Sequence, residues 1–310
     1  MTGDGLLPAL HRLARETAHP AGACPACGRG TVLADRPDAA VVRHGAAVVK
    51  AHADGTDPGA HRVRLALAGH PRLAGIFLAP LRPAAERVHG RLVTAWPYGV
   101  PVDPEDPDAA PWEHAAELLA RLHAVPLTGL AGALPGPVPP MRAPLKVTAA
   151  VSRMRAAAPA HPAARAVERA RDGLRLAGGP AGPLALCHGD LHLGQLVRDR
   201  AAGRWLLIDV DDIGAGDPAW DLARPAAWFA AGMLPPGVWA RFLGAYRAAG
   251  GTAVPRDGDP WPRLEGPARA LVVQTAALAL AKAAEEGREP DEVEELMIGA
   301  CVRIAALGPN

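Results

Sequence analysis

Residues 187–221 read CHGDLHLGQLVRDRAAGRWLLIDVDDIGAGDPAWD, and they carry the side chains that phosphoryl transfer requires. Asp190 follows His188-Gly189. Gln195 stands five residues further on, and the apolar run Trp205-Leu206-Leu207-Ile208 delivers Asp209. The reaction asks little covalent chemistry of a protein. It needs an acceptor oxygen placed in line and a phosphate charge neutralised by metal. The Asp190 carboxylate suits orientation of a hydroxyl. The Gln195 amide and the Asp209 carboxylate offer hard oxygen ligands to Mg²⁺.

A short loop can place Asp190 and turn Gln195 back toward the metal, but Asp209 must arrive from a neighbouring strand. Gln195-Leu196-Val197 and Trp205 to Ile208 flank Ala201-Ala202-Gly203, a pattern that predicts a β-hairpin joining the parts of the site. The order H-x-D, then N or Q, then a hairpin and D is that of a protein-kinase-like catalytic loop.

The segment resembles the aminoglycoside phosphotransferase and choline kinase family. The matching residues are His188-Gly189-Asp190, Ile208-Asp209, Gly214, Asp217 and Asp221-Leu222-Ala223. The run HGDLHLGQ, with His192 and Gln195, is also similar to the bacterial maltokinase branch. The close match covers about 35 residues, and a looser one most of the chain. The resemblance implies a two-lobed, α+β, protein-kinase-like fold. It implies Asp190 as the catalytic base or hydroxyl-orienting group, with Gln195 and Asp209 as Mg²⁺ ligands. Asp217 and Asp221 would brace loops. The usual asparagine is replaced by Gln195, whose carbonyl is an equivalent hard oxygen ligand on an arm one methylene longer, a departure that bears on the metal geometry. His192 either touches substrate or packs within the loop.

Residues 1–97 are expected to form a small nucleotide-binding lobe and 98–310 a larger helical lobe around one cleft. Residues 40–52 predict two strands about the turn His44-Gly45, with Lys50 near the end of the second. The chain holds only three lysines, Lys50, Lys146 and Lys282, so one in this place is informative. It is similar to the lysine that holds nucleotide phosphates in kinase-like folds; the alternative is a solvated lysine on an edge strand. Asp57-Pro58 predicts a helix start, with the helix running through Ala60 to Ala68. A kinase-like lysine normally pairs with a glutamate on this helix. Here the only carboxylates between Lys50 and Trp96 are Asp54, Asp57 and Glu86, none inside the helix. Either Asp54 or Asp57 approaches Lys50, or the pair is missing, or the helix lies elsewhere. Ile76 to Leu78 and Arg91 to Trp96 read as further strands. Trp96 or Tyr98, at the following break, would cover the nucleotide base or simply pack.

Helices are expected over 108–124, in one or two pieces over 146–176, over 236–249 and over 291–306, with a proline-rich loop at 131–145. The acidic run from Glu285 to Glu295 either binds a cationic substrate or is a solvated helix start. Cys24-Pro-Ala-Cys27 is half a zinc site, a redox pair or two free thiols.

Composition narrows the rest. The 310 residues are 49% hydrophobic and 21% charged with net charge +1, so no strong field argues for nucleic acid or a membrane surface. The N-terminus has no signal-peptide pattern, and a reducing cytoplasm is expected. The lone serine, Ser152, lacks a nucleophile elbow, and P-loop, HExxH and GxGxxG motifs are absent. The expectation is a Mg²⁺-dependent kinase using ATP, with GTP not excluded. It would phosphorylate a small-molecule alcohol: an antibiotic, a sugar or an amino alcohol. The alternative is a nucleotide-binding pseudokinase or scaffold. Nothing in the sequence specifies an oligomeric state.

Overall fold

The computed structural model describes residues 5–22, 28–130, 132–174 and 182–307. In chain order the elements begin with α1 (Leu6–Ala18), β1 (Thr31–Asp35), β2 (Ala40–His44), β3 (Ala47–Ala51), α2 (Pro58–Ala68), β4 (Glu86–Val88), β5 (Arg91–Pro97) and β6 (Val100–Pro101). They continue with α3 (Trp112–His123), α4 (Ala143–Ala157), α5 (Ala164–Asp172), β7 (Ala185–Cys187), β8 (Leu196–Arg198), β9 (Trp205–Leu207) and β10 (Gly214–Gly216). The last four are α6 (Ala219–Ala230), α7 (Pro236–Ala248), α8 (Trp261–Glu286) and α9 (Glu292–Leu307). The class is α+β. The chain forms two compact units. One comprises Met1–Pro111, Leu127–Pro139 and Leu193–Asp211, the other Trp112–Pro126, Pro140–His192 and Asp212–Asn310. The units are discontinuous in sequence, whereas a single boundary at 97/98 was expected. One reason is that β6 pairs with β8, nearly a hundred residues away.

The first unit is built on an antiparallel sheet of order β1-β2-β3-β5-β4. The β2–β3 hairpin turns at Gly45, whose φ of 55° is the left-handed conformation that glycine adopts without strain. Strand residues alternate between faces. Val49 and Ala51 of β3 join Val42, Val93 and Ala95 in a core closed by Leu6, Leu10 and Ala14 of α1. Lys50, between Val49 and Ala51, therefore points from the opposite face. It is flanked in register by Val41 of β2 and Thr94 of β5, so β3 is an interior strand and the edge-strand reading of Lys50 does not hold. β8 and β9 form the expected hairpin, Leu196 opposite Leu207. Ile76 to Leu78 is not a strand of the sheet. Its backbone bonds to Leu207 instead, at 2.8 Å and 2.9 Å, so it lies beside the β8–β9 hairpin.

The second unit is mostly helical. The 26-residue α8 packs against α4, α6 and α9, and α3 packs against α7. The chain breaks between α4 and α5 at residues 158–163, where Pro159 and Pro162 stand. α4 starts at Ala143, inside the stretch expected to be loop, because Pro144 sits in its first turn, where the missing N–H costs nothing. Cys24 and Cys27 lie outside the described residues. No helix among the described residues is long and apolar enough to cross a membrane.

Candidate active site

In the first unit the chemistry gathers on Lys50. Its Nζ lies 2.8 Å from Asp209 Oδ1 and 2.8 Å from Asp211 Oδ2. Burial alone would lower the pKa of the ammonium, but the two carboxylates more than offset it and raise it. Asp209 holds φ at 64°, a left-handed conformation that costs a non-glycine residue of order 1–3 kcal/mol and is tolerated best by Asp and Asn. Its Oδ1 also accepts the Asp211 N–H at 3.3 Å. Gln195 ends a short helical turn, and its backbone carbonyl accepts the Ile208 N–H at 2.9 Å. Gln195 and Asp209 therefore occupy the same end of the β8–β9 hairpin, as the spacing predicted.

The missing helix carboxylate is resolved by Asp211. Asp57 caps α2, accepting from Ala60 N at 2.7 Å, and Asp54 accepts from Gly55 N at 3.1 Å. Neither pairs with Lys50. α2 carries no carboxylate but brings His61 near, and Asp211 sits between Lys50 and two histidines. His52 Nδ1 lies 2.7 Å from Asp211 Oδ1, and His61 Nδ1 lies 3.7 Å from it. Burial and the neighbouring His52 push the His61 pKa down to about 4. Burial alone would raise the Asp211 pKa, yet Lys50 and His52 hold it well below the usual carboxylate range.

In the second unit the centre is Asp190. Lys146 Nζ lies 2.8 Å from Asp190 Oδ2 and 2.8 Å from Asp212 Oδ2. Arg224 Nη2 donates to Asp190 Oδ1 at 2.6 Å, and its Nε donates to the Leu191 carbonyl at 3.2 Å. Burial works to raise the Asp190 pKa, but Lys146 and Arg224 reverse it and drive it far down. Asp212 shares Lys146 yet is pushed up, by burial and by the Asp190 charge. The loop is tight. Gly189 has φ of 83°, and a Cβ there would meet the Asp212 carbonyl oxygen at 2.4 Å. Only glycine fits.

The loop is held from behind by Asp221, whose side chain is fully buried. It accepts the His188 and Gly189 N–H groups, each at 2.7 Å, and His123 Nε2 lies 3.0 Å away. His123 Nδ1 is in turn 2.8 Å from the Tyr246 hydroxyl. Asp217 accepts from Ala219 N at 3.0 Å and from Arg263 Nη2 at 2.9 Å, tying α6 to α8. Burial would raise the Asp221 pKa; the His123 and backbone bonds lower it instead. A lowered folded-state pKa means that the stabilisation is present above the unfolded value of about 3.9 and is lost as pH falls through the folded one. Asp221→Asn is expected to destabilise the fold by roughly 3 kcal/mol and to remove this part of the acid sensitivity. Urea midpoints measured at neutral and acid pH check both.

The other expected residues are placed as follows. The amide of Asp190 lies 3.4 Å from His188 Nδ1, and His188 is buried. His192 is half-buried and adds a small lowering to Asp190. Trp96 Nε1 donates to Thr94 Oγ1 at 2.8 Å, and the Arg43 guanidinium lies 3.4 Å from the Tyr98 ring centre. The acidic run is engaged locally. Arg288 pairs with Glu286 and Glu294, Arg153 pairs with Glu285, and Asp291 caps α9 through Glu294 N at 2.9 Å. Sequence reasoning missed Lys146, Asp211, Asp212 and Arg224, with His52 and His61 behind them.

A profile of the phosphotransferase enzyme family, APH, matches residues 36–266, about three-quarters of the chain. The protein is thus a phosphotransferase, an enzyme of kinase type. The chain belongs to the phosphotransferase enzyme family. No curated protein sequence matches it. Among solved structures it is similar to a choline/ethanolamine kinase family protein from Mesorhizobium loti, at 20% identity and TM-score 0.53, over 94% of this chain and 92% of that one. It is similar to a type I macrolide 2'-phosphotransferase, at 21% identity and TM-score 0.54, over 98% of each chain. It is also similar to the aminoglycoside phosphotransferase APH(4)-Ia in ternary complex with AMP-PNP and hygromycin B, at 15% identity and TM-score 0.60, over 94% and 97%. The shared fold is the protein-kinase-like α+β fold.

Proposed function

We propose that this enzyme is a Mg²⁺-dependent small-molecule kinase. It moves the γ-phosphoryl group of a nucleoside triphosphate, ATP first and GTP as the other candidate, to the hydroxyl of a small alcohol. The observation that carries the reading is Asp209. A non-glycine residue is held at φ 64° with its carboxylate on Lys50, next to the backbone that fixes Gln195. Strain of this kind collects where function requires it. AMP-PNP in the APH(4)-Ia complex supports a nucleotide donor.

A carboxylate and an amide oxygen at one end of a hairpin suit a hard divalent cation. Magnesium, when bound, neutralises charge on the transferred phosphoryl group and its leaving oxygen. Asp209 and Gln195 would hold it. With Asp209 on the metal, Lys50 would be free to hold the phosphates while Asp211, its second carboxylate, keeps it in place where an α2 glutamate is missing. Trp96 and Tyr98 are the candidates for the base. Asp190 accepts a hydrogen bond from the acceptor hydroxyl and orients its oxygen. Held ionised by Lys146 and Arg224, it is a weak base, which suits a loose transition state in which proton removal is late. His188, Asp217 and Asp221 hold the loop, and His192 flanks the acceptor.

The carboxylates nearest the acceptor position, Asp190 and Asp212, both pair with Lys146, and Arg224 and Arg142 add positive charge. This set favours a neutral or anionic alcohol, such as a sugar, over a polycation. A cytoplasmic location suits a nucleoside triphosphate donor, which is abundant there. The scaffold alternative draws on the absent α2 carboxylate and on Gln195 in place of asparagine; the Lys50–Asp211 pair speaks to the first and leaves the second. Incubation with MgATP and a panel of sugars, amino alcohols, macrolides and aminoglycosides tests the reading. The expected result is ADP formed in step with a phosphomonoester of at least one alcohol. MgATP binding with no ADP above background across the panel would favour the scaffold.

A further inference from the structure

Two groups of side chains among the described residues bring metal-ligating atoms together: His123, Cys187 and Asp221, and His52, His61 and Asp211. The first spends its lone pairs on hydrogen bonds, from His188 N, Gly189 N and the Tyr246 hydroxyl. The second does not. His61 Nδ1 and Nε2, His52 Nδ1 and Asp211 Oδ1 are all buried and none has a hydrogen-bond partner. His52 Nδ1 and Asp211 Oδ1 face each other at 2.7 Å and compensate one another in part, which leaves the two His61 nitrogens as the uncompensated atoms. Burying both His61 nitrogens unmatched costs roughly 1–3 kcal/mol each unless something else satisfies them.

Their other atoms are already fixed. His52 Nε2 lies 2.7 Å from Thr94 Oγ1, which Trp96 Nε1 holds at 2.8 Å. That leaves Nδ1 turned to the cluster, as outer partners of metal-bound histidines commonly arrange. Asp211 gives Oδ2 to Lys50 and keeps Oδ1 for the cluster. The His52 and His61 rings lie with centres 4.1 Å apart, and both side chains are 1% exposed.

We propose that His52 Nδ1, an imidazole nitrogen of His61 and Asp211 Oδ1 form a binding site for a divalent transition-metal ion of the zinc type. Two neutral imidazoles and one carboxylate are donors that zinc accepts and magnesium does not favour, so this site is distinct from that of Gln195 and Asp209. The ion would tie α2 to Asp211 and so hold the carboxylate that anchors Lys50. The site does not depend on the phosphotransfer reading, and metal binding is measured without nucleotide.

The test uses the full chain carrying Cys24→Ser and Cys27→Ser, so that those thiols cannot contribute. The protein is stripped with chelator and titrated with Zn²⁺ against a chromophoric competitor. One equivalent should bind, should survive millimolar Mg²⁺, and should raise the melting temperature. Co²⁺ in its place should give visible absorption without a thiolate charge-transfer band. His61→Asn and, separately, Asp211→Asn should each weaken zinc binding by roughly a hundredfold or more, in protein that still melts cooperatively. Zinc affinity unchanged in both variants, or no stoichiometric binding by the parent protein, would overturn the proposal. If one variant does not fold, the other decides.

Discussion

Asp190→Ala is expected to lower kcat by roughly 10²–10⁴-fold while leaving nucleotide affinity close to that of the parent enzyme. The asymmetry follows from where the carboxylate sits. Its two oxygens are taken by Lys146 and Arg224 in the second unit, and Lys50, Asp209 and Gln195 belong to the first. Removing it takes away the group that orients the acceptor and leaves the groups assigned to the nucleotide untouched. It also frees two cations that were compensated, as Asp190→Asn does while keeping the shape, so comparing the two separates the loss of the side chain from the loss of its charge. Steady-state rates and a calorimetric nucleotide titration on the same preparations separate the two effects. A variant that keeps most of its kcat would remove Asp190 from the catalytic role.

Asp209→Asn is expected to lower kcat/KM by on the order of 10³-fold, the scale of several kcal/mol of lost charge stabilisation by a metal. Asparagine is the right replacement because it also tolerates the left-handed backbone at φ 64°, so the loss reports the carboxylate and not strain. The Mg²⁺ concentration for half-maximal rate should rise in the same variant. Lys50 would still be held by Asp211, so the sheet should fold normally. An unchanged response to Mg²⁺ would show that Asp209 is not a metal ligand.

The parts of this site that were legible in the sequence are those set by local geometry. Gln195 and Asp209 come together because one two-stranded hairpin joins them, and hairpins announce themselves by alternation and turn residues. Lys50 was readable because the period of two along β3 puts Val49 and Ala51 in the core and the lysine on the other face. Its carboxylate was not readable. Asp209 is 159 residues away in sequence, and no local rule says that Asp211, two residues on, replaces an absent helix glutamate.

Lys146 is the instructive omission. Scarcity of lysine marked Lys50, and the same argument applied to Lys146 on α4. What hid it was that α4 reaches the Asp190 loop only through tertiary packing, with Arg142 N on the Asp212 carbonyl at 3.2 Å. Arg224 was lost among an arginine-rich background. The helix α1 went unread although Leu6, Leu10 and Ala14 repeat every four residues, a signal interrupted by Pro8.

The most direct test of the account is a calorimetric titration of the parent enzyme with AMP-PNP, carried out with Mg²⁺ and then with the metal chelated. If Asp209, Gln195 and Lys50 hold a metal–nucleotide complex, saturable one-to-one binding should appear with Mg²⁺ and weaken sharply without it. Binding that is absent in both cases, or equally tight in both, would contradict the account.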